Sequence, residues 1–489
     1  MDKLFSTVSL FSGAGGFDLG FHLTKKFTTW VTNELKEEPA ETLAKNLNMN
    51  MVFTSEELNI DKLPMMVQGD VADVNFDQLA QRLKPHVLIG GPPCQDFSVV
   101  KGDLRKGIEV NRGKLYAQFI RALISMTPYL FIFENVPGFM SANDGKAYRS
   151  VLEDFTNLSI RWPEITQNVL VRGRRECEVN SNYKILFSGI VNASKLGVPQ
   201  TRRRLIIIGL RGDLADNLGE LTVEKIKMKL DDKLNGRGTL LEKYPMTPIE
   251  IFEGLPLSKL GEKYRKVMQD YEGIWNDNTS PRVQKWKEKI WDQLAFDVKR
   301  DYLFINKIDE KKNEFEKAMK EHELILKRIS YLGRPLRGLH PDDGSNIMPK
   351  EPHTVTERMW RIPPGENHEA VRNTDWHVEG RGLSLIYRRA CPLKPAPTVV
   401  AYGGGGTWGY HYERSRGKLT NRERARLQTF TDDYLFEGKV GKVRAQIGEA
   451  VPPLLGLKIA EALLELNILP QIAETQELFN NKLPNRALG

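Results

Sequence analysis

Cysteine is scarce: Cys94, Cys177 and Cys391 are the only three in 489 residues. They lie far apart, with no C-x-x-C pair and no nearby histidine to complete a zinc set. Neither a disulfide framework nor a structural metal is therefore expected, and a reducing compartment is. Long apolar runs are missing as well. No stretch approaches the roughly 20 residues needed to cross a bilayer, and the apolar part of MDKLFSTVSLFSGAGG is too short for a signal peptide. Internal repeats and low-complexity tracts are absent. These absences lead us to expect a soluble, cytoplasmic protein with no membrane partner.

What is present has the composition of an ordinary globular enzyme, 40% hydrophobic and 27% charged, and the length allows two domains. Lys and Arg outnumber Asp and Glu by 71 to 63, a net charge of +8. That balance suits a polyanion such as nucleic acid without requiring one.

Residues 1–212 alternate short apolar runs with helical stretches, the pattern of an α/β fold with a doubly wound parallel sheet. Strands are expected at 8–11, 30–32, 65–67, 86–89, 129–133 and 204–208, and a helix at 116–126. Residues 213–402 change character. Trp286, Ile290, Leu294 and Val298 form one helical stripe, and Phe315, Met319, His322 and Ile329 form another. Pro, Gly and Asn then mark loops at 341–353 and 362–367. Helical patterns return within 403–489, at 423–428 and 453–464.

Phe11-Ser-Gly13-Ala-Gly15-Gly16-Phe17 follows the first strand and opens a helix. Glycines there let the backbone turn sharply and let a ligand approach main-chain N–H groups. Asp18 stands where the dinucleotide fingerprint would place its third glycine, which argues against a nicotinamide cofactor. Glu34, followed by Leu35, ends the second strand, where an acid accepts hydrogen bonds from ribose hydroxyls. Asp70, followed by Val71, ends the third, placed to meet an adenine amino group. Either acid alone reads equally as a helix cap or a surface charge. All three features at successive strand ends favour a nucleoside cofactor.

Gly90-Gly-Pro-Pro93-Cys94-Gln95-Asp-Phe-Ser98 follows the fourth strand. Two prolines stiffen the turn that presents the thiol, and main-chain N–H groups beyond it would enrich the thiolate. A lone cysteine is commonly a small buried hydrophobe, but the strand-end position and the Pro-Pro pair point to a nucleophile. Glu134, in Phe133-Glu-Asn-Val136, closes the next strand, on the same edge as Cys94, and suits acid catalysis or substrate orientation. In Gln200-Thr-Arg202-Arg203-Arg204 an extended chain would put Arg202 and Arg204 on one face, for a phosphate or a carbonyl oxygen that gains charge.

In this order the motifs resemble the cytosine-C5 DNA methyltransferases. The matching runs are 10–17, 91–98 with PPCQ, 112–115, 134–136, 200–204, 419–430 with R-E-R-A-R-L-Q, and 448–453. The resemblance covers about the first 210 and the last 90 residues. It implies an S-adenosylmethionine-dependent methyltransferase sheet of seven strands in a catalytic domain made of 1–212 and 403–489. A smaller target-recognition domain, 213–402, would complete the chain. It also implies S-adenosylmethionine as cofactor and S-adenosylhomocysteine as product. By matched position, Cys94, Glu134, Arg202 and Arg204 would be catalytic. Phe11, Gly13, Gly15, Gly16, Glu34, Leu35, Asp70, Val71, Pro93, Leu115, Glu449 and Ala450 would line the cofactor site. Gln95, Ser98, Thr398 and Tyr402 would meet DNA. Glu449 departs from the family's common Asn, which touches only the cofactor's amino-acid end. The expected partner is double-stranded DNA, methylated by a monomer that modifies DNA alongside a restriction endonuclease in a prokaryotic cell, near the nucleoid. A tRNA methyltransferase of the same fold fits less well, because the chain has Ala401-Tyr-Gly-Gly-Gly-Gly406 where those relatives carry C-F-T. An inactive binding homologue fits poorly with intact PPCQ, ENV and QTRRR.

Overall fold

Apolar runs such as Leu130-Phe-Ile-Phe133, buried throughout, form strands covered on both faces. The computed structural model describes residues 4–54, 58–93, 114–166, 182–278, 280–379, 386–402 and 405–469. In chain order the strands are β1 (Phe5–Leu10), β2 (Phe27–Glu34), β3 (Asn50–Phe53), β4 (Met65–Gln68) and β5 (Val87–Gly90). They continue as β6 (Leu130–Asn135), β7 (Tyr183–Asn192), β8 (Gln200–Thr201), β9 (Arg203–Arg211) and β10 (Ala396–Pro397). Among the described residues, eight of them form one sheet in the order β3-β4-β2-β1-β5-β6-β9-β7, one strand more than the seven expected.

Strands β1 to β6 pair in parallel, while β9 runs antiparallel to both β6 and β7. Side chains alternate across a strand, and β4 shows the consequence. Met65 and Val67 join a core with Phe76, Leu79, Phe119 and Leu123 from helices Phe76–Ala80 and Lys114–Met126. Met66, on the opposite face, packs with Ala40, Leu43 and Ala44 of helix Glu37–Leu47. Helices thus cover both faces, the doubly wound arrangement the sequence pattern predicts. Two strands escape that pattern. In β3 only Val52 is buried, and β7 carries a register shift between Ile185 and Phe187 that breaks its alternation.

The chain divides into two compact units. Residues 1–192, 203–237 and 455–489 make one; residues 193–202 and 238–454 make the other. The first contains the eight-stranded sheet. Among its described residues the second has helices, the two-stranded pair β8–β10 and isolated bridges of Tyr410 with Arg389 and Lys418. The single stripe expected from Trp286 to Val298 is interrupted there. Helix Pro281–Lys287 loosens into a π-type turn, Glu288–Asp292, and Phe296 adopts φ 49°. Asp297 then caps a new helix, Val298–Ile305, by accepting the Arg300 N–H. The loop expected at 341–353 ends one residue early, where helix His353–Trp360 begins. His322, on helix Lys312–Arg328, is wholly buried, with Nδ1 2.8 Å from Glu250 Oε1 and Nε2 2.9 Å from the Tyr244 carbonyl. Burial by itself would lower the pKa of this imidazole, but Glu250 and the Tyr244 carbonyl together raise it. Among the described residues, no helix is long and apolar enough to cross a membrane.

Candidate active site

The strand order places β4, β2, β1, β5 and β6 side by side, so the groups that follow their carboxyl ends lie along one edge of the sheet. After β1 the backbone turns through Phe11 (φ 56°), Gly13 (φ 54°) and Gly15 (φ 71°) before helix Gly16–His22. Positive φ at the two glycines suits a residue without Cβ, and a Cβ on Gly13 would meet none of the described residues within 4 Å, so that side of the loop is open among them. Phe11 is half-buried against the main core. Beneath the loop, the Ser12 hydroxyl donates to the Ser9 carbonyl at 3.1 Å, and Ser9 Oγ donates to Asp18 Oδ2 at 3.2 Å. Asp18 is fully buried. Burial pushes its carboxyl up to about 7, against the opposing hydrogen bond from Ser9. The residue that breaks the dinucleotide fingerprint is therefore part of the loop's foundation.

Glu34 Oε2 accepts the Gly13 N–H at 2.9 Å, and Oε1 accepts the Lys36 N–H at 2.9 Å. The acid and the glycine loop, placed together only by spacing in the sequence, are in direct contact. A carboxylate oxygen takes more than one donor, so these bonds leave capacity for hydroxyls. Leu35 is exposed beside it. Asp70 is exposed, and its Oδ1 accepts the Ala72 N–H at 2.9 Å, capping the 3₁₀ turn Val71–Asp73; Val71 is buried. Asp70 is thus a cap, as an acid alone reads, at the position the cofactor reading also assigns. Asn33 joins these features. Its buried side-chain amide donates to the carbonyls of Val67 (2.9 Å) and Gly69 (3.1 Å), and its own carbonyl accepts the Ser12 N–H at 3.1 Å. Sequence reasoning passed over Asn33, which lies between Thr32 and Glu34 in a strand already rich in polar residues and so carries no local signal.

On β6, Glu134 forms an ion pair with Arg204 of β9, Nε to Oε1 at 2.8 Å, with both side chains largely buried (14% and 13% exposed). Register explains the pair: Glu134 lies opposite Ile206, and Arg204 is two residues away on the same face. Gly91 faces Glu134 from the end of β5. A Cβ there would lie 2.8 Å from Glu134 Oε2, so a side chain at 91 would displace the carboxylate. Asn135 Nδ2 donates to the Pro92 carbonyl at 3.2 Å and its Oδ1 accepts the Val136 N–H at 2.9 Å, fastening the prolines that lead to the thiol. The motif matched through its glutamate thus holds a second functional residue. Pro93 is exposed; Leu115 is half-buried against the core on helix Lys114–Met126. Cys94, Gln95 and Ser98 lie outside the described residues.

Arg202 lies between β8 and β9, where its N–H donates to Gln200 O at 3.0 Å and its carbonyl accepts the Ala193 N–H at 2.9 Å. Arg202 belongs to the second unit and is fully buried there, donating to the carbonyls of Val399 (3.2 Å), Gly448 (2.8 Å) and Glu449 (3.4 Å). Gln200 works alongside it. Its Oε1 accepts the Val399 N–H at 3.0 Å, and its Nε2 donates to Leu427 O and Gln428 Oε1. Thr398 Oγ1 donates to Thr201 O at 2.8 Å, and the exposed Tyr402 hydroxyl donates to Glu449. Ala450, buried, caps helix Val440–Glu449. Three motifs separated by up to 247 residues thus meet in this unit, and Arg202 and Gln200 are their connectors.

A family model described as C-5 cytosine-specific DNA methylase matches residues 5–465. The DNA (cytosine-5-)-methyltransferase M.ApeKI of Aeropyrum pernix is 52% identical over 466 residues, covering 94% of this chain and 98% of its own. Type II methyltransferase M.NgoFVII of Neisseria gonorrhoeae is 27% identical, over 97% of this chain and 93% of its own. Among solved structures, a prophage-encoded DNA modification methyltransferase (E. coli) matches with a TM-score of 0.51 at 20% identity. It covers 94% of this chain and 99% of its own, and supports the fold alone.

Proposed function

Because the chain belongs to the C-5 cytosine-specific DNA methylases and is a DNA (cytosine-5-)-methyltransferase, we propose a covalent mechanism for it. In that mechanism it methylates C5 of a flipped-out cytosine in a specific double-stranded sequence, using S-adenosylmethionine and a Cys94–C6 adduct. The carrying observation is the edge described above. Glycine loop, Glu34 and Asp70 follow three neighbouring strands, and the Glu134–Arg204 pair sits beside the Gly91–Pro93 run that leads into Cys94.

The residues present fit the cofactor. Glu34 and Asp70 offer carboxylate acceptors for ribose hydroxyls and the adenine amino group, and the open side of Gly13 leaves room beside main-chain N–H groups. Phe11, Leu35, Val71, Pro93 and Leu115 supply apolar contact. Bound there, the cofactor supplies an electrophilic sulfonium methyl and leaves as S-adenosylhomocysteine.

Cytosine C5 is a poor nucleophile. Attack of the Cys94 thiolate on C6 makes C5 an enamine carbon able to accept a methyl group. Glu134 hydrogen-bonds N3 and the exocyclic amine, and Arg204, already on Glu134 Oε1, keeps that carboxyl in place and polarises O2. Loss of the C5 proton to a base then re-forms the ring double bond and expels the thiolate. These atoms are out of reach inside a stacked duplex, so the base leaves the helix first. Arg202 acts through the backbone it grips, shaping the segment that carries Thr398 and Tyr402. Incubation with methyl-labelled cofactor and either duplex DNA or tRNA tests this reading, with bisulfite sequencing to locate the product. Label in tRNA alone, or in DNA at a position other than C5 of cytosine, would overturn it.

Glu34→Ala is expected to weaken S-adenosylhomocysteine binding roughly ten-fold, the scale of a lost hydrogen bond to a charged group, with DNA affinity intact. Calorimetric titration checks this; an unchanged dissociation constant excludes Glu34 from the cofactor site.

The names of relatives such as M.NgoFVII, a type II methyltransferase, support a role as the modification partner of a restriction endonuclease. Residues 213–402 are our candidate for sequence recognition, since helices that carry Gly- and Pro-rich loops can place side chains at base edges. Exchange of 254–398 for the equivalent region of a relative is expected to move methylation to the donor's sequence. Sequencing of the product DNA decides; an active chimaera that still marks the original site would place recognition elsewhere.

A further inference from the structure

Arg121 lies on helix Lys114–Met126 with 1% of its surface exposed. Its Nη1 donates to the Val74 carbonyl at 2.7 Å, its Nη2 to those of Val71 (2.8 Å) and Ala72 (3.4 Å), and its Nε to Gln118 Oε1 at 2.7 Å. The guanidinium also sits 4.4 Å from the centre of the Phe76 ring. A buried cation is costly unless hydrogen bonds compensate it. Here the compensation comes from Gln118 and from the carbonyls of one short stretch of backbone, the turn that Asp70 caps. Within that turn Asp73 N–H donates to Asp70 O at 3.0 Å and Val74 N–H to Val71 O at 3.2 Å. Those bonds join residues of the turn to one another, whereas the bonds of Arg121 join it to helix Lys114–Met126. A planar guanidinium spreads its five donors over a fixed fork, so it can reach carbonyls on different sides at once, whereas the three donors of an ammonium leave a single atom.

We propose that Arg121 is a positioning residue for the adenine end of the cofactor. It holds the 71–74 turn so that Asp70 meets the adenine amino group. Because it stands on the helix that also bears Leu115, it sets two walls of the cofactor site relative to each other. The inference rests on the proposed adenine contact of Asp70. Nothing in the sequence around Arg121 marks it, since an arginine on an otherwise apolar helix face reads as a solvated charge.

The test compares binding of S-adenosylhomocysteine with that of S-inosylhomocysteine, which carries a carbonyl in place of the amino group. Wild type is expected to prefer the adenosyl compound about ten-fold or more, the usual effect of leaving a charged acceptor without its donor. In Arg121→Met the preference falls to about two-fold, and in Arg121→Lys, which keeps the charge and most of the volume, it falls to an intermediate value. A purely structural role would lower the melting temperature and weaken both ligands alike. A full preference in a folded Arg121→Lys or Arg121→Met protein therefore overturns the inference while sparing Asp70. Asp70→Asn separates the two ideas: if wild type and Asp70→Asn discriminate equally, the adenine contact itself is wrong and the role of Arg121 falls with it.

Discussion

Cys94→Ser is expected to abolish methyl transfer. A serine hydroxyl stays un-ionised at neutral pH and is a far weaker nucleophile than a thiolate, so without attack on C6 the ring carbon C5 never becomes reactive. The substitution is nearly isosteric, and the groups that lead up to it are held from elsewhere: Pro92 by Asn135, and Gly91 by its fit against Glu134. Binding of DNA and cofactor is therefore expected to survive, so that the loss is confined to the chemical step. The complementary measurement uses DNA with 5-fluorocytosine at the target. Wild type becomes covalently trapped, because fluorine cannot leave as the C5 proton does, and Cys94→Ser does not. Wild-type turnover by Cys94→Ser, or trapping that persists in it, would remove the nucleophile from the scheme.

Glu134→Gln is expected to slow the chemical step roughly 10²–10⁴-fold, the range for removal of a positioned acid–base group. The amide keeps an oxygen for Arg204 Nε and a similar volume beside Gly91, so the local geometry is retained while the charge and the proton are lost. Cofactor affinity is expected to stay near wild type, because the described contacts of the glycine loop run to Glu34, Ser9 and Asn33. Single-turnover rates at saturating DNA and cofactor measure this directly. A rate within a few-fold of wild type would make the Glu134–Arg204 pair a structural tie between β6 and β9 and nothing more.

The two variants probe groups of different visibility. Cys94 and Glu134 stand out in the sequence because each closes an apolar run, and strand ends are where this class of fold binds ligands. The residues that support the site's motifs did not stand out. Asn135 is a neutral residue beside the glutamate, and its grip on Pro92 spans 43 residues of chain. Arg121 bonds a turn about 50 residues away. Neither distance has a signature in local spacing. The second unit shows the same limit. Local spacing pairs Arg202 with Arg204, but nothing local shows that the Arg202 guanidinium bonds three carbonyls of distant segments.

The sequence by itself determined the class of fold, the order of the motifs, the glycine turn and the acids that end the strands. These are local matters: apolar runs bury on both faces of a sheet, positive φ favours glycine, and a residue's place at a strand end follows from its neighbours along the chain. Only the tertiary structure decided that β4, β2, β1, β5 and β6 stand side by side, that β9 runs antiparallel, and that Glu34 touches Gly13 while Arg204 touches Glu134. Those contacts join residues 21 to 70 positions apart, and they follow from which strands pair. Burial across the whole sheet sets that pairing, and no window of sequence contains it.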